Sequence, residues 1–199
     1  MLAAVDRRYR APVETEQALR ARSVEELVAA YEAGERPRYV HFWGHTPKGP
    51  GVGMHVLSQW WPKVFADADG RSFASAEHYM MWRKAVLFGD DRTAARILDA
   101  ASPGAAKALG REVSGFEDEV WLEHRWRIVV EGSTLKFGSD PALRDYLLAT
   151  RGRVLVEASP RDRIWGIGLG KSSPYAEEPA RWNGLNLLGF ALMEARNRL

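Results

Sequence analysis

The segment at 75–85 carries side chains whose types and spacing suit acid–base or nucleophilic chemistry. Glu77, Met81 and Lys84 are separated by four and three residues, which places them on one stripe of an α-helix. Glu77 falls in the first turn, where the helix dipole favours an ionised carboxylate, and Lys84 lies roughly 10 Å further along the axis. This acid and amine could converge on one small group, although a pair of solvated surface charges has the same spacing. His78 lies on a neighbouring stripe and is interpreted as a core residue.

A second candidate segment, at 157–168, combines glycines with an acid and an indole. Asp162 precedes the pair Trp165 and Gly166 by three residues. Glycine lets a backbone approach a ligand closely, and tryptophan offers a flat stacking face. The pattern suits a turn that binds a planar ring, and a structural loop around a core tryptophan would show the same pattern.

Composition narrows the classes of function. Eight tryptophans provide either a tryptophan-rich core or flat walls for planar rings. The absence of cysteine excludes disulfides, thiolate catalysis and cysteine-bound zinc. His41, His45 and His55 match no known ligand spacing, so neither a metal nor a cofactor is expected. Lys48 and Arg111 are candidate phosphate contacts, and a solvated surface charge is an equal alternative for each.

Charge and hydropathy patterns bear on partners and location. A formal net charge of +2 is too small to predict bulk nucleic-acid binding, which needs clustered basic residues. The first residues lack the apolar core of a signal peptide, and no apolar run is long enough to span a bilayer. We therefore expect a cytoplasmic protein with no membrane partner.

The elements that must position these residues are mainly helical, which predicts a single α+β domain with a few short strands. Residues 1–37 are assigned to an N-terminal helical extension and 38–199 to the main domain. Asn183 or Asn186 is interpreted as a helix cap. The predicted helices cover 14–34, 75–88, a short stretch from 90 or 91, a stretch from 102, 116–137, 140–150 and 185–199. The predicted strands are 39–43, a hairpin around 67–70, and 154–156, and an irregular segment covers 157–183.

An ordered series of motifs over about 40–199 resembles the NADAR (YbiA-like) family. The series consists of Phe42-Trp-Gly, Leu57-Ser-Gln-Trp-Trp-Pro, Glu77-His-Tyr-Met-Met with Lys84-Ala, Leu87-Phe-Gly-Asp, Leu109-Gly-Arg, Trp121, Lys136-Phe, Glu157-Ala-Ser-Pro, Asp162, Trp165-Gly-Ile-Gly, and Trp182-Asn-Gly-Leu-Asn-Leu-Leu-Gly. The resemblance implies a compact, mostly helical fold and an N-glycosidase that hydrolyses the bond between ribose and an exocyclic amine. The implied substrates are ribosylamino-pyrimidine intermediates of riboflavin synthesis or ADP-ribosylated guanine, free or within nucleic acid.

The resemblance also implies site residues. The catalytic candidates are Glu77, Lys84 and Asp162. The substrate-binding candidates are Phe42, Trp43, Gly44, Trp60, Arg111, Trp121, Trp165 and Gly166. The chain departs from some branches of the family at Ile167, where those branches carry an acid, so Asp162 or Glu77 would have to take over its role.

Two mechanisms are open for such a reaction. In the first, Lys84 attacks ribose C1 of the ring-opened glycosylamine and forms a Schiff base, which requires a lowered lysine pKa. In the second, Glu77 activates water directly and Lys84 only binds the substrate. A non-catalytic module that binds ADP-ribose or a modified nucleotide would use the same aromatic walls, but the acids and the amine favour an enzyme. A carbohydrate-binding domain is disfavoured because such domains are usually rich in strands.

Overall fold

The computed structural model describes residues 16–199, and most of this part of the chain is helical. The helices are α1 Glu16–Arg20, α2 Val24–Glu32, α3 Ala76–Leu87, α4 Asp91–Leu98, α5 Pro103–Arg111, α6 Asp118–Gly138, α7 Pro141–Leu148 and α8 Leu187–Arg198. The strands are β1 Arg38–Phe42, β2 Phe65–Ala66, β3 Ser72–Phe73 and β4 Arg153–Glu157, and short 3-10 turns cover Met54–Leu57 and Pro179–Arg181. The predicted α+β class, mainly helical with a few short strands, is confirmed.

Two strands far apart in sequence form a parallel pair in the middle of the domain. β1 and β4 lie side by side, with Tyr39 opposite Val154 and Phe42 opposite Glu157. Since parallel strands run in the same direction, both carboxyl ends meet at one edge, where ligands commonly bind in α/β folds. Glu157 therefore ends its strand beside the start of the loop at 43–53. The predicted hairpin is also present, as β2 paired antiparallel with β3.

Helix α3 is the central element around which the candidate residues are arranged. Ser75 caps it by accepting a hydrogen bond from the backbone N–H of His78, and α4, α5 and α6 pack around it. The interpretation of His78 as a core residue is confirmed, because its side chain is 1% exposed. Its Nε2 donates to the Ala100 carbonyl at 3.0 Å.

The prediction of one N-terminal helix over 14–34 is wrong, and its first two residues lie outside the described part of the chain. α1 and α2 are separate because Ser23 is extended and its Oγ accepts from the Glu26 N–H at 3.2 Å. Glu26 in turn accepts from the Arg22 N–H at 2.7 Å, so the Ser-x-x-Glu sequence starts a new helix. The division between 1–37 and 38–199 stays a prediction. Among residues 16–199, no helix is both long and apolar enough to cross a bilayer.

Candidate active site

A cavity of about 160 Å³ lies between α3, the end of α5, the start of α6 and the loop after β4. Glu77, Met81 and Lys84 line it from α3, as their shared helical stripe predicts. The structure brings five of the predicted site residues together there, and Met80, Lys107 and Gly110 complete the lining. The five are Glu77, Lys84, Arg111, Trp121 and Trp165.

Glu77 is buried in this cavity with part of its carboxyl group unpaired. Its side chain is 3% exposed, and Oε1 has no hydrogen-bond partner within residues 16–199. Burial raises its pKa to about 7, against opposing effects of the Lys107 ammonium and the Trp60 indole. A carboxyl group with this pKa can donate or accept a proton near neutral pH, as a general acid or base must.

Lys84 is half-buried at the opposite end of the stripe. Its Nζ donates to the Gly110 carbonyl at 2.7 Å and lies 4.0 Å from the centroid of the Phe116 ring and 5.8 Å from that of Trp121. Burial lowers its pKa, although the Asp118 carboxylate opposes this. The lower pKa increases the neutral, nucleophilic fraction of the amine.

Glu157 is a candidate acid that the sequence analysis did not assign. It ends β4, its Oε2 is buried without a partner in the described residues, and burial raises its pKa to about 8. The negative charges of Asp162 and Glu77 add to that rise, so the three carboxyl groups form one electrostatic cluster. An acid at the carboxyl end of a buried strand was the available signal, since that edge commonly binds ligands.

Asn186 fixes the backbone on which Glu157 stands. Its Oδ1 accepts from the Glu157 N–H and its Nδ2 donates to the Leu155 carbonyl, both at 3.0 Å. Asn186 occupies the N-cap position of α8, as predicted, but it lies in the left-handed region, at φ 50°, and its side chain makes no cap hydrogen bond. Its side-chain amide forms hydrogen bonds with β4 instead.

Lys107 is a second amine in the cavity that the sequence analysis missed. It lines the cavity from α5, and its charge lowers the pKa of both Glu77 and Glu157. Its Nζ lies 5.9 Å from the Trp60 ring centroid. Trp60, predicted to bind substrate, is therefore a neighbour of both this lysine and Glu77, but it is not part of the cavity lining.

Asp162, predicted as a catalytic residue, shapes the turn that carries Trp165. Its Oδ1 accepts from the backbone N–H groups of Ile164 at 2.9 Å and Trp165 at 2.7 Å. Its charge also raises the pKa of Glu77 and Glu157. The structure therefore places this carboxylate beside the acids, but outside the lining of the cavity.

Gly166 and Ile167 have internal partners. A Cβ at Gly166 would lie 2.8 Å from the Glu157 carbonyl oxygen, so glycine is needed for the loop to approach its own chain. Ile167 is fully buried in the core, and its N–H donates to the same carbonyl at 2.9 Å. In this chain, an acid at that position would have to enter the apolar core.

The remaining predicted residues lie around a second, larger cavity of about 840 Å³ at the carboxyl edge of β1 and β4. Phe42 and Trp43 line it, and Gly44, at φ 76°, begins the loop beside it. Lys48, a candidate phosphate contact, lines the same cavity. Of the predicted substrate-binding residues, Arg111, Trp121 and Trp165 line the smaller cavity, Phe42 and Trp43 line the larger one, and Gly44, Trp60 and Gly166 line neither.

Within residues 16–199, no group of three or more histidine, aspartate or glutamate side chains is arranged to hold a metal ion. His41 donates from Nε2 to the Ala176 carbonyl at 3.2 Å, and the His55 ring lies 4.4 Å from that of Trp61, centroid to centroid. These two histidines serve packing and hydrogen bonding.

Comparisons with known proteins identify the family of this chain. The model of the NADAR domain matches residues 41–199. The chain is 42% identical to "N-glycosidase R617" of Acanthamoeba polyphaga mimivirus, over 81% of this chain and 96% of that protein. It is 30% identical to "N-glycosidase YbiA" of Escherichia coli, over 70% and 76% of the two chains. It is 34% identical to the maize "Riboflavin biosynthesis protein PYRR, chloroplastic", over 67% of this chain and 21% of that one.

The fold also has a solved counterpart. The NMR structure of Escherichia coli YbiA superimposes with a TM-score of 0.62 at 24% identity, covering 82% of this chain and 85% of that one. The fold, the family match and the curated relatives together show that the chain belongs to the NADAR family and is a hydrolase of the N-glycosidase class.

Proposed function

We propose that this enzyme hydrolyses the bond between ribose C1 and an exocyclic amine on an aminopyrimidinone or guanine ring. The observation that carries the proposal is the shared cavity of Glu77 and Lys84, in which burial shifts both pKa values towards neutrality. The indoles of Trp121 and Trp165 line the same cavity and supply flat faces for a planar ring.

The preferred mechanism passes through a Schiff base on Lys84. Glu77 protonates the ring oxygen as the ribose ring of the glycosylamine opens to an iminium, and neutral Lys84 Nζ forms a bond to C1. The new ammonium on Nζ returns a proton to Glu77, which passes it to the base nitrogen; the C1–N bond to the base then breaks, and the free amine of the base leaves. Water adds to the remaining protonated imine and gives its surplus proton to Glu77, and the C1–Nζ bond breaks to release the aldehyde sugar, which returns Lys84 and Glu77 to their starting forms.

The elevated pKa values of Glu77 and Glu157 support the proton transfers in this scheme. A carboxyl group with a pKa near neutrality can give a proton to the departing amine and accept one from the attacking water. Glu77 lines the cavity directly, so it is assigned the acid role. The charge of Glu77 raises the pKa of Glu157, so Glu157 can hold the proton that Glu77 donates or accepts.

Borohydride trapping tests the covalent step. Reduction in the presence of a ribosylamino-pyrimidine substrate should add one reduced sugar to the protein, which peptide mass mapping should place on Lys84. Lys107 is the internal control, because it lines the same cavity and would be labelled equally by non-specific imine formation. An active enzyme that traps no sugar would exclude the Schiff base.

Lys84→Arg separates the two mechanisms. Arginine keeps the positive charge but cannot form a productive imine, so the covalent scheme expects turnover to be lost. Retained turnover would favour direct attack by water, with Glu77 as the base.

The substrate proposal is tested with a panel. A riboflavin-precursor ribosylamine is included because of the similarity to the maize riboflavin biosynthesis protein, and an ADP-ribosylated guanine nucleotide is included because it presents the same ring and bond. Release of free sugar from either substrate supports the assigned bond. Release from neither, by protein that is folded, contradicts it.

A further inference from the structure

The larger cavity has a lining that the chemistry proposed for Glu77 and Lys84 does not explain. Its lining combines an apolar wall with two basic side chains and two hydroxyl groups. Trp43 is 60% exposed on that wall, and an indole open to solvent is well placed to stack on a planar group. The apolar members are Phe42, Trp43, Met54, Ala158 and Pro160, and the polar ones include Lys48, Lys171, Ser172 and Ser173.

The two lysines are available for an anion. Within residues 16–199, neither Lys48 nor Lys171 forms an ion pair, and the lining of this cavity contains no carboxylate. Cations that approach one cavity without a counter-ion are best satisfied by phosphate oxygens. The flanking serine hydroxyls can donate to the same oxygens.

The turn that carries Lys171 is anchored to the rest of the domain. The Ser173 N–H donates to the Gly170 carbonyl at 2.9 Å. Three residues further on, the Ala176 carbonyl accepts from His41 Nε2 at 3.2 Å and from Trp182 Nε1 at 3.1 Å. The 170–176 segment is thereby fixed to β1, so Lys171 projects from a supported position.

The sizes of the two cavities suit one substrate that spans both. A typical ligand site has about 300–1,000 Å³, so the smaller cavity of about 160 Å³ holds only the part of the substrate that reacts. The segment after β4 contributes to both cavities: Trp165 lines the smaller one, and Ala158 and Pro160 line the larger one.

We infer that the larger cavity is a subsite for a phosphate-bearing arm of the substrate, with Lys48 and Lys171 binding the phosphate oxygens and Trp43 stacking on a planar group. As a statement about the substrate, this inference rests on the proposed function. The same chemistry serves a single 5′-phosphate or a diphosphate that joins a second nucleoside.

Binding is tested first, without reference to turnover. Titration calorimetry of the full chain with ADP and with inorganic pyrophosphate should detect binding, and Lys48→Ala and Lys171→Ala should each weaken it by about tenfold. Arg92→Ala is the matched control, because Arg92 is an exposed cation on α4 outside both cavities. Absence of binding to the unaltered chain, or equal binding by all variants, would overturn the subsite.

Turnover then connects the subsite to the reaction and distinguishes the two sources of phosphate. Three ribosylamines are compared, without phosphate, with a 5′-phosphate and with a diphosphate-linked nucleoside. In the double lysine variant, KM should rise for the phosphorylated substrates and stay constant for the unphosphorylated one, with kcat unchanged. If only the diphosphate substrate responds, the arm is a dinucleotide; if both respond equally, one phosphate suffices.

The two proposals fail in different ways. If no ribosylamine is cleaved but ADP binding depends on Lys48 and Lys171, the proposed bond is wrong and the subsite stands. If cleavage proceeds and its KM is the same in the double variant for every substrate, the subsite is wrong and the proposed function stands.

Discussion

Lys84 is half-buried and Lys136 is almost fully buried, and their different surroundings indicate different roles. Lys84 lines a cavity and faces aromatic rings. Lys136, in α6, is 1% exposed, and its Nζ donates to the carbonyls of Val56 at 2.6 Å and Ser58 at 2.8 Å. Burial lowers the pKa of Lys136 to about 7. A depressed lysine pKa therefore marks a reactive amine only when a cavity gives a substrate access to it.

The largest expected difference is between removal of the two amines. Lys84→Met should lower kcat/KM by about a thousandfold, since it removes the nucleophile while leaving a similar apolar volume. Its free energy of unfolding should change little, because only one hydrogen bond, to Gly110, is lost. Steady-state kinetics and urea unfolding measure the two effects.

Lys136→Met is the counterpart. It should leave kcat/KM of the folded enzyme within about threefold and lower the free energy of unfolding by about 2 kcal/mol, because two buried carbonyls lose their donor. A large loss of kcat/KM in Lys136→Met, with an unchanged free energy of unfolding, would contradict the structural role assigned to Lys136.

Removal of the Asn186 amide should produce the next largest effect, on the support of the reaction centre. Asn186→Ala loses two buried hydrogen bonds to β4 and forces alanine into a left-handed conformation, so we expect about 3 kcal/mol of destabilisation. Chemical unfolding measures the loss.

Asn186→Gly is the control for backbone strain, since glycine accepts a positive φ without cost. If Asn186→Gly is as stable as the parent chain, strain accounts for the loss and the hydrogen bonds to the Glu157 strand contribute little. If it remains destabilised, those hydrogen bonds hold the acid in place.

The buried acids Glu77 and Glu157 and the buried amine of Lys136 should make the stability of the folded state respond to pH in opposite directions. Glu77 and Glu157 have raised pKa values, about 7 and about 8, so the folded state keeps protons that the unfolded state releases from about pH 4.3 upwards. Stability should fall as pH rises through that window. The pKa of Lys136 is lowered to about 7 in the folded state, from about 10.4 in the unfolded state. Lys136 should therefore cause stability to rise with pH between about pH 7 and pH 10.

Urea unfolding across this range should therefore show a minimum near pH 7–8. Glu77→Gln should flatten the falling side, Lys136→Met should flatten the rising side, and Glu119→Gln, at an exposed carboxylate of α6, should alter neither. Identical profiles for the parent chain and the first two variants would show that neither buried group is coupled to unfolding.

Local signals in the sequence predicted the reaction centre better than its surroundings. The stripe of Glu77, Met81 and Lys84 depends only on helical periodicity, and Ser75 marks the start of the helix. The stripe and the helix start could therefore both be predicted from the sequence. Lys107 reaches the cavity through the packing of α5 on α3. Glu157 comes near Glu77 through the pairing of β1 with β4. Such contacts join residues far apart in the chain, and no local pattern encodes them.

The same limit applies to the partners of Asn186 and Gly166. Asn186 shows the sequence signature of a cap, but its partner is a strand about thirty residues away. Gly166 fits a ligand-binding turn, but the close approach is to the chain's own carbonyl. In both cases the residue type indicated the kind of contact, a side-chain hydrogen bond or a close backbone approach, and only the tertiary structure identified the partner.

The smallest expected effect concerns the wall of the cavity at Gly110. A Cβ at that position would lie 2.1 Å from Met81 Sδ, and since the thioether is flexible, it should move into the cavity it lines. Gly110→Ala should therefore raise KM by about tenfold with a loss of stability below about 1 kcal/mol. The double variant with Met81→Ala removes the obstructing side chain, so it should recover most of the KM. If KM stays high in the double variant, the altered α5 backbone that holds Lys84 is responsible, and the distinction between an accessible and a buried lysine would rest on that carbonyl contact.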